Sequence, residues 1–400
     1  METQEDSPLH DACRNGYLGR VKRILSQGLV DVNSRGEKHR KTPLMLAAQE
    51  GHRQVFVFLV KKGANVSHID QYGDNVLHLA CRGGHISIVK DLVRHHMIDI
   101  NSKGMYGSTP LLQTVYCGQI DVFHILVFCG ANLSDMDDVG ENILHVACRG
   151  GHFGMVKNVL KYYSDYINSR DNHGETPLMK AVSEGHIYVF DFLVSLGANV
   201  SHAADNGDNI LHLASTGGHT KMVQYILSQD LVNINSRGKY GATPLMKAAH
   251  KGHMEIFKYL VGMKADVSQV DDDGDNILHY ASIGEHTKIV QYILSLDLVD
   301  INSRGKYGRT ALTRAVYYGQ RKVLDLLASK GGLTNLVDAE GQSILHLASL
   351  GGRVEMVKYI LSQNLADINA RDNDGDTAAM IAKRNGKLDV YNFLVSQVVQ

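Results

Sequence analysis

The chain has no tryptophan, only five prolines and only five cysteines in 400 residues, and each shortage excludes something. The cysteines (Cys13, Cys81, Cys117, Cys129, Cys148) are sparse and odd in number, which excludes a disulfide scaffold and points to a reducing compartment. Net charge is missing too. Lys plus Arg is 41 and Asp plus Glu is 42, a formal charge of -1, so the usual electrostatic case for nucleic acid or a membrane surface falls away. No apolar run approaches the roughly 18 residues of a membrane helix. The start, METQEDSPLH, has neither the basic residues nor the apolar stretch of a signal peptide. These absences predict a cytoplasmic protein, with the nucleus open to it, that neither inserts into a membrane nor binds nucleic acid. Hydrophobic residues at 44% are enough for a substantial core.

What is present is a ruler. Glycine recurs at Gly73, Gly107, Gly140, Gly174, Gly207, Gly241, Gly274, Gly308, Gly341 and Gly375, in steps that alternate between 34 and 33. The histidine of an LH pair recurs at His78, His145, His212, His279 and His346, each 67 residues apart. The duplicated unit is therefore a pair of unlike repeats. Segments 208–241 and 275–308 agree at 28 of 34 positions.

Each repeat reads as helix, turn, helix, hairpin. Thr42, Thr109, Thr176 and Thr243 each precede a proline, and Thr followed by Pro is an N-cap with the first helical position pre-set. In the alternate repeats Asn75, Asn142, Asn209 and Asn276 take the cap. A glycine, such as Gly51, Gly84 or Gly118, ends the first helix. A second helix follows with apolar residues at helical spacing, for example Met222, Val223, Ile226 and Leu227, then an extended stretch and a glycine turn that read as a tight β-hairpin. Glu285 stands where a helix-ending glycine belongs, and Gly284 is expected to take that role. Ala311 and Gln320 replace the usual proline and histidine, which predicts a looser tenth repeat.

These motifs resemble the ankyrin repeat, whose T-P-L-H-x-A-A, G-H and hairpin elements are here split between two repeat types. Even repeats keep TPL with Met45, Met179 and Met246 in place of His, and odd repeats keep LH without TP. About twelve 33/34-residue units cover the chain, beginning near Ser7, Lys41, Asp74, Ser108, Glu141, Glu175, Asp208, Ala242, Asp275, Arg309, Gln342 and Asp376. The resemblance implies an all-α repeat solenoid of stacked helix-turn-helix units with β-hairpin loops. It would be one solenoid over 1–400, with residues 1–40 and 376–400 as capping repeats.

Thirteen of the 21 histidines occupy repeated LH or second-helix positions. Even spacing along an array argues against a metal site, whose ligands must converge. In the resembled family such histidines hydrogen-bond the loops between repeats. Cys13, Cys81 and Cys148 share one helical position with Ser215, Ser282 and Ser349, which reads as small-residue packing rather than a nucleophile. Phe56, Phe123, Phe190 and Phe257 recur as core filling. No catalytic constellation, cofactor motif or metal motif emerges, so the expectation is a non-enzyme without cofactors.

Two features carry the functional reading. Hairpin tips leaving odd repeats are basic (Lys38 and Arg40, Lys103, Arg170, Arg237 with Lys239, Arg304 with Lys306). Those leaving even repeats are acidic (Asp70, Asp137, Asp205, Asp271 to Asp273, Asp338). Such bands either attract neighbouring tips to one another or meet a partner with matching charge. The second feature is the position that the resemblance implies faces a concave groove, occupied by Lys180, Lys247 and Arg314 in even repeats and by residues such as Val146 and Tyr280 in odd ones, with Tyr116 and His250 one turn on. Groove contacts or ordinary framework both fit.

The chain is thus expected to be a monomeric protein-binding scaffold or adaptor. Its candidate partner-binding residues are Lys180, Arg237, Lys239, Tyr240, Lys247, Tyr280, Arg304, Lys306, Tyr307 and Arg314. The alternative is the recognition arm of a larger assembly: a channel's cytosolic domain, a ubiquitin-ligase substrate receptor or a phosphatase regulatory subunit. The resemblance also implies hairpin asparagines open to hydroxylation, and Asn33, Asn302 and Asn369 fit the pattern of Leu eight residues and Asp two residues earlier.

Overall fold

A computed structural model describes residues 7–37, 39–297 and 299–398, so Lys38 lies outside the described residues. The described residues contain 24 α-helices, in two compact units spanning 1–199 and 200–400. The first unit holds six helix pairs, from Pro8–Arg14 with Leu18–Ser26 to Pro177–Ser183 with Ile187–Ser195. The second unit holds six more, from Ile210–Gly217 with Thr220–Ser228 to Ala378–Arg384 with Leu388–Val398. Within each unit the first helix of a pair packs on the first helix of the next and on its own second helix. The fold is the helical repeat solenoid that the motifs imply.

The helix starts are set by local chemistry. Thr42 Oγ1 accepts from Met45 N at 3.3 Å, and Thr243 Oγ1 does the same for Met246 N at 3.3 Å. In odd repeats Asn75 Oδ1 accepts from Leu77 N (2.9 Å) and His78 N (3.2 Å), and Asn276 repeats the arrangement on Leu278 and His279. Each cap contributes about 1 kcal/mol. The core strip is apolar and includes Phe56, Phe123, Phe190 and Phe257, fully buried. Cys13, Cys81 and Cys148 are buried as well, and burial pushes the thiols of Cys13 and Cys81 up to about 12, which leaves them inert.

The predicted hairpins are tighter and simpler than strand pairs. Among the described residues the one β-bridge is isolated, between Ile69 and Asn75. Each loop turns back on a few local backbone bonds, such as Asp70 N to Asp74 O (2.9 Å) with Gly73 N to Asp70 O (3.2 Å), or Gly238 N to Ala242 O (2.9 Å) with Gly241 N to Gly238 O (2.8 Å). The reason is that a tip carboxylate takes the amides a ladder would use: Asp70 Oδ1 accepts from Tyr72 N at 2.8 Å and Asp74 N at 3.1 Å.

Histidines tie the repeats together. His52, His85 and His253 direct Nε2 at Arg14 O (2.9 Å), Gln49 O (2.8 Å) and Thr216 O (3.0 Å) of the preceding repeat. Gln320 supplies the same bond, donating to Ile283 O at 3.0 Å, and Thr310 caps its helix with Thr313, so the tenth repeat keeps the contacts expected to weaken. One expectation is corrected. Gly284 has an ordinary φ of -87° as helix cap, and Glu285 itself adopts the left-handed φ of +63°. Gly284 has its own constraint, since a Cβ there would meet His250 O at 2.4 Å.

The LH histidines are buried. Burial holds His78, His145, His212 and His279 below the ordinary imidazole value, against the opposing pull of Asp74, Asp208 and Asp275 on three of them. The folded chain therefore binds fewer protons than the unfolded chain below about pH 6.5. The stability these sites contribute is complete above that pH and is lost as pH falls toward the folded values. Thermal unfolding followed by circular dichroism should show the melting temperature dropping between pH 7 and 5. A flat profile over that range would contradict neutral burial.

Candidate functional site

The first helices place a row of cations against the acids at the base of the preceding loop. Lys180 is enclosed, 8% exposed, and meets three acids, with its Nζ 2.7 Å from Asp171 Oδ2, 2.6 Å from Glu175 Oε2 and 3.1 Å from Glu141 Oε1. Burial alone would favour the neutral amine, but the hydrogen bonds Lys180 donates to Asp171 and Glu175 outweigh it and hold Lys180 above its ordinary value. Lys247 Nζ reaches Asp208 Oδ2 at 3.1 Å, and the buried Arg314 donates to Asp275 Oδ2. Tyr280 donates its hydroxyl to Asp271 Oδ2 at 2.8 Å. Lys180 and Arg314, both among the candidate partner-binding residues, have their charges buried and paired inside the repeats.

These pairs obey a register that sequence reading missed. The acid at 74, 141, 208 or 275 meets a side chain 39 residues on: Gln113, Lys180, Lys247 or Arg314. Asp74, Glu141 and Asp376 also meet an arginine eight residues on: Arg82, Arg149 and Arg384. Where position 342 has Leu350 and Ile381 at those spacings, the acid is replaced by the neutral Gln342. Pairing acids with cations at the two spacings would have shown that the groove cations are framework.

At the tips the charge bands face one another. Arg237 donates to Val270 O and to Asp272 Oδ1, both at 2.8 Å, and Arg304 donates to Val337 O at 2.8 Å. Lys306 Nζ donates to Asp273 Oδ2 at 2.8 Å. Three tip tyrosines share a backbone conformation that His39 also adopts, at φ of +64°. Tyr106, Tyr240 and Tyr307 adopt φ of +55°, +58° and +59° and are 73%, 67% and 53% exposed. A left-handed backbone costs a non-glycine residue on the order of 1–2 kcal/mol. What holds it is the next tip, because Asp138 N, Asp272 N and Ala339 N donate to the three tyrosine carbonyls at 3.0, 2.9 and 2.8 Å. Lys239 Nζ lies 5.2 Å from the Tyr240 ring and Lys306 Nζ lies 5.5 Å from Tyr307. Lys239, Tyr240 and Tyr307 are thus exposed on braced loops.

The hairpin asparagines differ in access. Asn33 Oδ1 accepts from Asn65 N at 2.7 Å and Asn302 Oδ1 from Leu333 N at 3.0 Å, whereas Asn369 is exposed. In the first unit a cavity of about 200 Å³ opens between Tyr106, Tyr116, Asp137, Val146 and the arginines Arg82 and Arg149. Among the described residues no group of three or more His, Cys, Asp or Glu side chains is arranged to hold a metal, and no helix is long and apolar enough to cross a membrane.

Stacked helix pairs with capped first helices and turn-back loops define a helical repeat protein. The profile for ankyrin repeats in three copies matches residues 1–70, 65–137, 111–204, 196–271, 263–338 and 326–399, and the chain belongs to the ankyrin-repeat family. It is similar to transient receptor potential cation channel subfamily A member 1 of Homo sapiens, 26% identical over 419 residues, covering 92% of this chain and 37% of the channel. A palmitoyltransferase of Lachancea kluyveri is 30% identical over 209 residues, covering 50% of this chain and 28% of that protein. An E3 ubiquitin-protein ligase of Arabidopsis thaliana is 24% identical over 325 residues, covering 76% of this chain and 20% of the ligase. The chain therefore spans at most 37% of the length of these relatives.

Proposed function

We propose that this chain is a non-enzymatic scaffold or adaptor that binds a protein partner through its hairpin tips and groove. The observation that carries the reading is the set of exposed, left-handed tyrosines Tyr240 and Tyr307, each beside a lysine. Backbone strain held in place by neighbouring structure concentrates at functional positions. Tyrosine also offers a partner large contact area at little entropic cost. Arg237, Arg304 and Lys306 brace these loops, and Lys239 adds charge. Lys247 and Tyr280 act on the groove through their pairs with Asp208 and Asp271 rather than as free contacts.

The unbroken glycine ruler supports one array of about twelve repeats over 1–400, capped by 1–40 and 376–400. We read the chain as monomeric and located in the cytosol or nucleus, with neither nucleic acid nor a membrane as partner. Asn369, the most accessible of the three candidate asparagines, is the one expected to carry hydroxylation first. A second reading is favoured by the partial coverage of the relatives, among them a channel and a ubiquitin ligase: the array serves as the recognition arm of a larger assembly.

The test separates strain from function. Tyr240→Gly with Tyr307→Gly should raise stability by about 1 kcal/mol per site, because glycine adopts the left-handed conformation freely. The same double variant should lose proteins that the wild type retains in affinity purification from native cytosol. Raised stability with an unchanged set of retained proteins would move the interface away from the tips.

A further inference from the structure

The repeats carry their own template for what the first unit's cavity holds. Positions 134 residues apart occupy equivalent places in the array, so Asp137, Val146, Tyr116 and Ser108 correspond to Asp271, Tyr280, His250 and Ala242. In the later repeats Tyr280 donates its hydroxyl to Asp271 Oδ2 at 2.8 Å, and the His250 ring meets the Tyr280 ring edge-on, with centroids 6.1 Å apart. In the earlier repeats valine stands where that tyrosine stands, and the cavity of about 200 Å³ lies beside it. Asp137 keeps the same tip role, accepting from Val139 N at 3.1 Å and Glu141 N at 2.9 Å through Oδ1. Among the described residues no donor reaches its Oδ2. At three of the equivalent tips a side chain answers this oxygen, Lys180 on Asp171, Tyr280 on Asp271 and Arg309 on Asp338, whereas Asp70 Oδ2, with Leu79 at the tyrosine's place, has no partner among the described residues either. Asp137 has Val146 and Ser108 at the corresponding places, both too short.

We infer that this cavity receives a tyrosine side chain of a protein partner, whose hydroxyl donates to Asp137 Oδ2 as Tyr280 donates to Asp271. The inference rests on the protein-binding reading and names the chemistry of one anchor. Three features select the phenol. A phenylalanine would seal the half-buried carboxylate away from water with no donor, a costly arrangement. A lysine or arginine would meet Arg82 and Arg149, which line the same cavity. A phosphorylated tyrosine would set its charge against Asp137, while both arginines already answer acids of their own, Asp74 and Glu141. A neutral ring with one hydroxyl suits the remaining surface, where the Arg149 guanidinium lies 5.0 Å from the Tyr116 ring.

The test titrates the full chain with N-acetyl-tyrosinamide, N-acetyl-phenylalaninamide, N-acetyl-phosphotyrosinamide and p-cresol, read by nuclear magnetic resonance shifts of Val146 and Leu112 methyl groups. The tyrosine amide should bind about tenfold more tightly than the phenylalanine amide, the value of one buried hydrogen bond. Asp137→Asn keeps an acceptor for the tip amides but turns its Nδ2 donor toward the phenol, and should cut that preference severalfold by replacing the ionised acceptor with a neutral contact. Val146→Tyr should fold and no longer bind, since its own ring fills the space. Equal binding of the two amides, preference for the phosphorylated one, or a folded Val146→Tyr that still binds would overturn the inference. Failure of Val146→Tyr to fold would do the same, as the space would not fit a phenol. Binding of p-cresol without the tyrosine amide would reassign the cavity to a free phenol and also overturn it. If no probe binds while the tip tyrosines still govern partner retention, the anchor is wrong and the scaffold reading stands.

Discussion

Lys180→Met should cost the first unit about 3–5 kcal/mol, the loss expected when one partner of a buried ionic cluster is removed. Methionine keeps the length and apolar stem of lysine, so the loss is electrostatic: Glu141, Asp171 and Glu175 would be left crowded around an uncharged side chain. Asp171 is fully buried at its carboxylate, and although burial would raise its pKa, hydrogen bonds from Lys180 and the tip amides hold it below the usual carboxylate value. The pH dependence follows in sign. The Asp171 contribution is present above about pH 4 and is lost as pH falls through its folded value. The Lys180 contribution is present below about pH 10 and is lost as pH rises through its folded value. The variant should therefore recover relative to wild type in acid, where the carboxylates take up protons. Urea unfolding at pH 7 and pH 4 measures both, and a loss below about 1 kcal/mol at pH 7 would mean that the cluster is solvated rather than buried.

Gln342→Glu probes the pairing register itself. The glutamine is buried, and its two potential cation positions are Leu350 and Ile381. A carboxylate here would have no partner at either spacing, so it should destabilise the second unit by a few kcal/mol at neutral pH. The cost should shrink as pH falls, because an unpaired buried acid titrates upward. Ile381→Lys restores the spacing that joins Glu141 to Lys180, and the double variant Gln342→Glu with Ile381→Lys should regain most of the loss. Denaturant unfolding of the single and double variants forms a thermodynamic cycle, and no coupling between the two sites would break the register rule.

Much of the architecture was legible because it is local. Thr42 before Pro43 and Asn75 before Val76 cap helices through bonds that span two or three residues, and such spacing is visible in a linear chain. The core role of Phe56, Phe123, Phe190 and Phe257 was visible for a related reason, since helical period and repeat period both point the same way. Three things were not legible. The hairpins form turns rather than ladders because tip carboxylates such as Asp70 take the amides, a competition that sequence periodicity does not reveal. The left-handed angles of Tyr106, Tyr240 and Tyr307 depend on amides of the following tip. Lys180 and Arg314 looked like groove contacts because a lysine or arginine in a sequence carries no mark of burial.

The sequence by itself determined the repeat, its alternation, the helix caps and the glycine-ended turns, because each rests on neighbours within a few residues or on exact recurrence. Only the tertiary structure decided which charges are spent inside the protein and which remain outside. Stacking sets side chains 39 residues apart against each other inside the repeats, and at that distance along the chain only the packing of one repeat on the next creates the contact.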